Sequence, residues 1–256
     1  MIADSGFSLS RLFACFAGVW LLSGTLWAEH AATVRAVIVP QGPKIEATLS
    51  DPLWRKAPTL SLHPVPGQDG KLATTARILF DATHLYAAFE CEEPDPKPLA
   101  AARARDADAW ADDSVELYVL PHPEVGYKQI AISAAGAVFD QAFPPNGRSD
   151  RAWNANVKVA VAAEAGKRWT VAVAVPLQDL GARTGEDQTW RFNVTRFRKA
   201  LGNAPVQEYT WANLPSADFQ QPAAFGRIEG IALGAAAKGA PRPVEERHEG
   251  LGWTRL

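Results

Sequence analysis

The sequence predicts an all-β fold, an antiparallel β-sandwich of immunoglobulin-like or jelly-roll type with about ten strands in a single domain. Three observations predict it. Short runs alternate apolar and polar residues at period two, as Val115, Leu117 and Val119 do against Glu116, Tyr118 and Leu120. Turn chemistry separates these runs, at Gln41-Gly42-Pro43, Asp81-Ala82-Thr83-His84, Pro121 to Gly126 and Glu164 to Lys167. No stretch carries a long helical period.

Residues 1–28 read as a secretory signal rather than as part of the fold. Arg11 precedes an apolar run from Leu12 to Leu22, and Ser23 to Ala28 ends on a small residue, so cleavage after Ala28 is expected. The run is short for a membrane span of about 20 residues, and no span is expected in the mature chain. Cys15 has only Leu12 and Phe13 as apolar residues before it, too few for a lipoprotein box. The expected location is therefore secreted or periplasmic. Losing Asp4 and Arg11 with the signal leaves the net charge at −2, a balance that gives nucleic acid no basic surface to bind. Cys91 then stands alone, so no intrachain disulfide can form, and its place in the run Leu85 to Cys91 predicts a buried, inert thiol.

The domain is expected over residues 29–232. Val34 to Val39 is a short apolar run. Within Ile45 to Ala57, Ser50 or Asp51 can cap a single turn begun by Pro52, with Trp54 pointing inward as a lid on one end of the core. Thr74 to Asp81 and His84 to Glu90 read as a hairpin. Glu92 to Pro98 holds three prolines and three acids and reads as loop. Four aspartates around one tryptophan make Asp106 to Asp113 a loop too, and Val115 to Leu120 a strand. Tyr127 to Ser133 and Val138 to Gln141 follow as strands, then Phe143 to Arg151 as a mobile loop rich in Pro, Gly, Asn and Asp. Trp153 to Ala163 and Arg168 to Val175 form a second hairpin turned by Gly166, and Pro176 to Leu180 one helical turn ended by Gly181. Trp190 to Arg198, Gln207 to Trp211 and Phe225 to Ile228 complete the strands. From residue 233 to 256 the composition shifts to Gly, Ala, Pro and charge, which predicts a poorly ordered tail.

The functional signal lies at Trp110, where the acidic loop meets the strand that carries Glu116. An aromatic face stacks on the axial C–H groups of a sugar ring while fixed acceptors bind its hydroxyls, so this pair suits a carbohydrate. The alternative is that Trp110 caps the sandwich and the aspartates are solvated loop charge. Trp54, Trp169 and Trp190 fit inward-facing slots. His84 and His122 read as exposed loop residues without metal-ligand spacing. Arg191 and Arg196 suit a structural role, holding loop carboxylates in place. Asn193-Val194-Thr195 forms a glycosylation sequon, discounted because it falls in a strand.

From about Ile45 to Ile228 the order of pieces resembles the family 9 carbohydrate-binding modules, within the broader group of DOMON-like β-sandwiches. The pieces are Ile45-Glu46 with Asp51-Pro52-Leu53-Trp54 and Ala57, Leu85-Tyr86-Ala87-Ala88-Phe89, and Trp110-Ala111-Asp112-Asp113-Ser114-Val115-Glu116. Trp169 to Pro176 with Asp179-Leu180-Gly181, Trp190-Arg191-Phe192-Asn193 with Arg196, and Phe225-Gly226 complete the order. The resemblance implies a non-catalytic module that holds a sugar between two aromatic walls, associated with polysaccharide catabolism and with a glucan- or xylan-type glycan as partner. Carried over, Trp110 is one wall, Glu116 an acceptor beside it, and Phe219 stands where sugar-binding members have the second tryptophan. An arginine that contacts sugar in those members is replaced by Ala131. The resemblance also implies structural calcium, for which no site can be matched residue by residue.

Other readings stay open beside it. The domain could serve as a cell-envelope interaction or structural module with a vestigial cleft. Some DOMON-like sandwiches hold haem through axial Met and His, but the only methionine here is Met1, so no haem is expected. Asp112 or Asp113 with Glu116 could in principle act as an acid and base in glycoside hydrolysis, though the resemblance brings no catalytic pair and no enzyme is expected.

Overall fold

A computed structural model describes residues 31–95, 99–101, 103–145, 148–200 and 205–234, with the side chains of Trp110 and Glu186 outside that set. The proposed signal, residues 1–28, and the tail from residue 235 lie outside the described residues. In order, the strands are β1 (Thr33–Arg35), β2 (Thr59–Ser61), β3 (His63–Pro64), β4 (Thr74–Phe80), β5 (His84–Glu92), β6 (Ser114–Leu120) and β7 (Tyr127–Ser133). They continue with β8 (Val138–Phe143), β9 (Lys158–Glu164), β10 (Arg168–Pro176), β11 (Gly185–Arg198), β12 (Gln207–Thr210) and β13 (Gly226–Leu233).

These strands form two sheets. The larger has the order β1-β13-β11-β6-β7-β8, with β12 beside β11 and β3 beside β12. The smaller has the order β2-β4-β5-β10-β9. One core joins them: Phe80, Phe89, Val171 and Val173 of the smaller sheet pack with Val115, Leu117, Ile130 and Trp190 of the larger. Phe80 meets Trp190 edge-on, with ring centroids 5.6 Å apart, the arrangement that aromatic quadrupoles favour. The fold is the predicted β-sandwich in a single domain, and among the described residues no helix is long and apolar enough to cross a membrane.

The predicted hairpins form. Asp81 fixes the turn between β4 and β5 by accepting from the Thr83 and His84 backbone N–H groups at 2.7 and 2.8 Å, the local bonding for which turns favour aspartate. Its other oxygen accepts from the Tyr86 hydroxyl at 2.6 Å and the Gly42 N–H at 3.1 Å, which ties the preceding segment to the sheet. Asp51 caps the 3₁₀ turn Pro52–Lys56 as expected, accepting from Leu53 N–H at 2.9 Å.

Several expectations need correction. Trp54 is buried, but it packs with Val39, Leu79, Tyr86 and Ala88 in a second cluster on the outer face of the smaller sheet, not on the end of the main core. The segment around residues 37–57 thus covers that face, where Ala88, Ala172 and Ala174 are small enough to let it approach. β1 pairs with β13 in parallel, an exception to the otherwise antiparallel order. The edge strands β2 and β3 are too short to leave a period in the sequence. β11 begins at Gly185 rather than Trp190, with bulges between Gly185 and Trp190 that break the alternation. Trp153 precedes β9 instead of opening it. His84 opens β5 and is only partly exposed, as is His122, whose ring Nε2 lies 3.2 Å from the Gly181 carbonyl.

Candidate functional site

The outer face of the larger sheet is where the sandwich departs from a water-facing pattern. Alternation puts Glu116 and Tyr118 of β6 on the face opposite Val115, Leu117 and Val119. Register then sets their neighbours: Glu116 lies between Ala131 of β7 and Thr195 of β11, and Tyr118 between Gln129 and Asn193. Gln141 of β8 lies opposite Gln129. All of these side chains are buried, although nearly all are polar.

Hydrogen bonds link four of them, Glu116, Tyr118, Gln129 and Gln141, into one chain. Gln141 Nε2 donates to Gln129 Oε1 at 2.7 Å, and Gln129 Nε2 donates to Glu116 Oε2 at 2.6 Å. The Tyr118 hydroxyl donates to the same Glu116 oxygen at 2.6 Å and accepts from Gln129 Nε2 at 3.2 Å. Burial pushes the Glu116 carboxyl up, against the two donors that favour its charged form, and the nearby Glu208 carboxylate adds to the rise. Among the described residues no hydrogen bond reaches Glu116 Oε1. Thr195 Oγ1, on the strand beside it, is buried without a partner among the described residues.

Phe219 lies over this network from the segment between β12 and β13. Its ring centroid is 6.4 Å from that of Tyr118, and Gln220 Nε2 next to it approaches Gln129 Oε1 at 3.4 Å. Phe219 also packs at the margin of an aromatic cluster of Tyr118, Tyr127 and Phe225. Two of the residues singled out by sequence, Glu116 and Phe219, are therefore joined through Tyr118. The backbone of the third, Trp110, lies in a short 3₁₀ turn, Ala109–Ala111, set against β6, β7 and β8 within the acidic segment expected to be loop. Ala131, at the position of the missing arginine, is wholly buried with Ala109, Ala137 and Phe139.

Sequence reasoning missed Tyr118, Gln129 and Gln141 as site residues. A signal for them exists. Tyr118 follows Glu116 by one strand period, and folding the hairpin about Pro121 to Gly126 places Gln129 opposite Tyr118.

One of the loop aspartates serves structure. Asp112 accepts from Arg103 Nε at 2.7 Å, Ala101 N–H at 3.2 Å and Lys199 Nζ at 3.3 Å. Among the described residues no group of three or more His, Cys, Asp or Glu is placed to hold a metal ion. Arg196 is fully buried and donates to Thr74 Oγ1, the Glu92 carbonyl and Glu93, while Arg198 holds Glu93 with two bonds at 2.8 Å. The structural role expected of Arg196 is thus seen, whereas Arg191 binds the Ala223 carbonyl at 2.7 Å and, among the described residues, no carboxylate. Cys91 is buried, and burial pushes its thiol up to about 12. Asn193 of the sequon is fully buried and bonded to Thr210.

Comparison with known proteins decides the family. The model for the family described as carbohydrate family 9 binding domain-like matches residues 45–231. The chain belongs to that family. Solved structures of similar fold include two family 9 carbohydrate-binding modules from Caldicellulosiruptor kristjanssonii. One, in complex with cellotriose, has 13% identity and a TM-score of 0.57, covering 82% of this chain and 100% of the other. The second, in complex with glucose, has 12% identity and a TM-score of 0.60, covering 79% and 97%. A protein from Bacteroides uniformis ATCC 8492, provisionally assigned as carbohydrate-binding, has 18% identity and a TM-score of 0.62, covering 78% and 99%. No curated protein matches the chain. At these identities the likeness to solved structures shows the shared sandwich, and the family 9 match is what supports carbohydrate binding.

Proposed function

We propose that this family 9 domain binds a carbohydrate of glucan or xylan type without acting on it, on the outer face of the larger sheet. The observation that carries the reading is the buried Glu116 carboxylate, whose Oε2 is held by Tyr118 and Gln129 while Oε1 has no partner among the described residues. A preset acceptor with one oxygen left over suits a sugar hydroxyl, which must donate when it leaves water. Phe219 supplies one apolar wall, the family resemblance assigns the other to Trp110, and Thr195 is a further hydroxyl partner. Secretion or export to the periplasm, and service to polysaccharide catabolism, belong to the same proposal.

A second reading has its own support. Glu116, Tyr118, Gln129 and Gln141 are each more than nine-tenths buried, as they would be in a closed, vestigial cleft of a cell-envelope interaction domain.

The test is a titration of the mature domain with glucose, xylose, cellobiose and xylo-oligosaccharides, read by tryptophan fluorescence with and without calcium, beside Trp110→Ala. Saturable quenching that the variant abolishes supports the sugar site. Retained affinity in Trp110→Ala overturns its placement, and no response at millimolar sugar favours the closed cleft. Dependence on calcium would support the structural ion implied by the family resemblance.

A further inference from the structure

We propose a second ligand site on the opposite side of the sandwich, on the outer face of the smaller sheet, that takes a carboxylate-bearing sugar of one ring, a uronic acid. The pocket there has a volume of about 200 Å³ and is lined by Leu49, Trp54, Arg55, Thr75, Arg77, Ala88 and Glu90. Ring-binding pockets for drug-sized ligands are about 300–1,000 Å³, so this one admits a single sugar ring or less.

Its construction follows from the strands. Thr75 and Arg77 of β4 and Ala88 and Glu90 of β5 point away from the main core, with Thr75 opposite Glu90 and Arg77 opposite Ala88. The segment that covers this face brings Leu49, Trp54 and Arg55 to the same place. Leu49, Trp54 and Ala88 give the pocket an apolar side.

Two arginines, Arg55 and Arg77, share the lining with that apolar side. Arg77 has one long bond, 3.4 Å, to the Ala57 carbonyl, and neither Arg55 nor Arg77 pairs with a carboxylate among the described residues. Glu90, the one acid in the lining, is bridged to Arg168 at 3.5 Å, which offsets its charge. The Trp54 indole is buried and lines the pocket, and its Nε1–H has no acceptor among the described residues. Buried donors without partners are uncommon, and arginine pairs are suited to carboxylates. A uronic acid answers the arginines and the apolar side together: its carboxylate meets Arg55 and Arg77, its ring lies on the apolar side, and its hydroxyls reach Thr75 and Glu90.

The experiment titrates the full chain with glucuronate, galacturonate, glucose and inorganic phosphate by calorimetry, in the wild type and in Arg55→Gln, Arg77→Gln and Trp110→Ala. Arg55 is exposed, so its variant keeps the fold even if Arg77→Gln does not, and thermal melting checks both. The expected result is saturable uronate binding, weakened roughly tenfold by either arginine variant, about 1.4 kcal/mol, and unchanged in Trp110→Ala. Absence of uronate binding at millimolar concentration overturns the proposal. So does binding lost in Trp110→Ala but kept in both arginine variants, which would place the uronate on the other sheet. Phosphate binding tighter than uronate would also overturn it, since the pocket would then read charge alone. Failure of glucose binding bears only on the first site.

Discussion

Tyr118 donates its hydroxyl to Glu116 Oε2 at 2.6 Å inside a network that contains no cationic side chain among the described residues. Burial therefore raises the Glu116 carboxyl above its ordinary value. A proton held more tightly by the folded than by the unfolded chain stabilises most below the unfolded glutamate value of about 4.3, and that stability declines as pH rises through the folded value. Glu116→Gln removes the decline. Urea unfolding across pH should show a flatter profile in the variant than in the wild type, and sugar affinity in the variant should fall roughly tenfold with loss of the charged acceptor.

Ala131→Arg should not build a sugar contact. Ala131 is wholly buried beside Ala109, Ala137 and Phe139, so an arginine there overfills the space even though Glu116 lies opposite it. A loss of about 1–3 kcal/mol from overpacking alone is expected in urea unfolding, with no gain in affinity. Stable folding with tighter sugar binding would show that the turn Ala109–Ala111 moves aside.

Glu93→Gln should be among the most damaging substitutions on a polar residue. Glu93 is buried and takes two bonds from Arg198 and one from Arg196, itself fully buried. Removing the anion leaves Arg196 uncompensated and Arg198 with Asp95 alone, a loss of about 3–5 kcal/mol by denaturant titration. A loss under about 1 kcal/mol would mean that Asp95, already bonded to Arg198, also takes over Arg196.

Gly126→Ala tests the turn that sets the β6–β7 register. Gly126 has φ 63°, and a Cβ there would lie 1.9 Å from the Phe143 carbonyl oxygen, so the backbone itself would have to move. Strain of about 1–3 kcal/mol and a fall in Tm of roughly 5–10 °C are expected by calorimetry.

Much of the sandwich was legible because its central strands alternate. Val115, Leu117 and Val119 declared the inner face of β6, and the turn at Asp81 declared the first hairpin. The short edge strands were not legible, since His63–Pro64 has no period, and neither was the bulged start of β11. Trp54 illustrates a different limit: its pattern said buried, but alternation cannot say which of two apolar layers receives a residue from a loop. At the candidate site, Glu116 stood out as a charge inside an apolar strand. Gln129 and Gln141 did not, because a glutamine on a strand reads as solvent-facing until the segment carrying Phe219 and Gln220 is seen to cover it.

The parallel pairing of β1 with β13 has a mechanical consequence. Arg227 N–H bonds the Ala32 carbonyl and Ala36 N–H bonds the Glu229 carbonyl, each at 2.8 Å, along a register from Thr33 to Arg35. Tension applied before β1 and after β13 pulls these two strands in opposite directions along their own axes. The bonds are then loaded in shear, all at once, instead of being peeled one after another, so a domain that yields readily to heat or urea can still resist a pull on its ends.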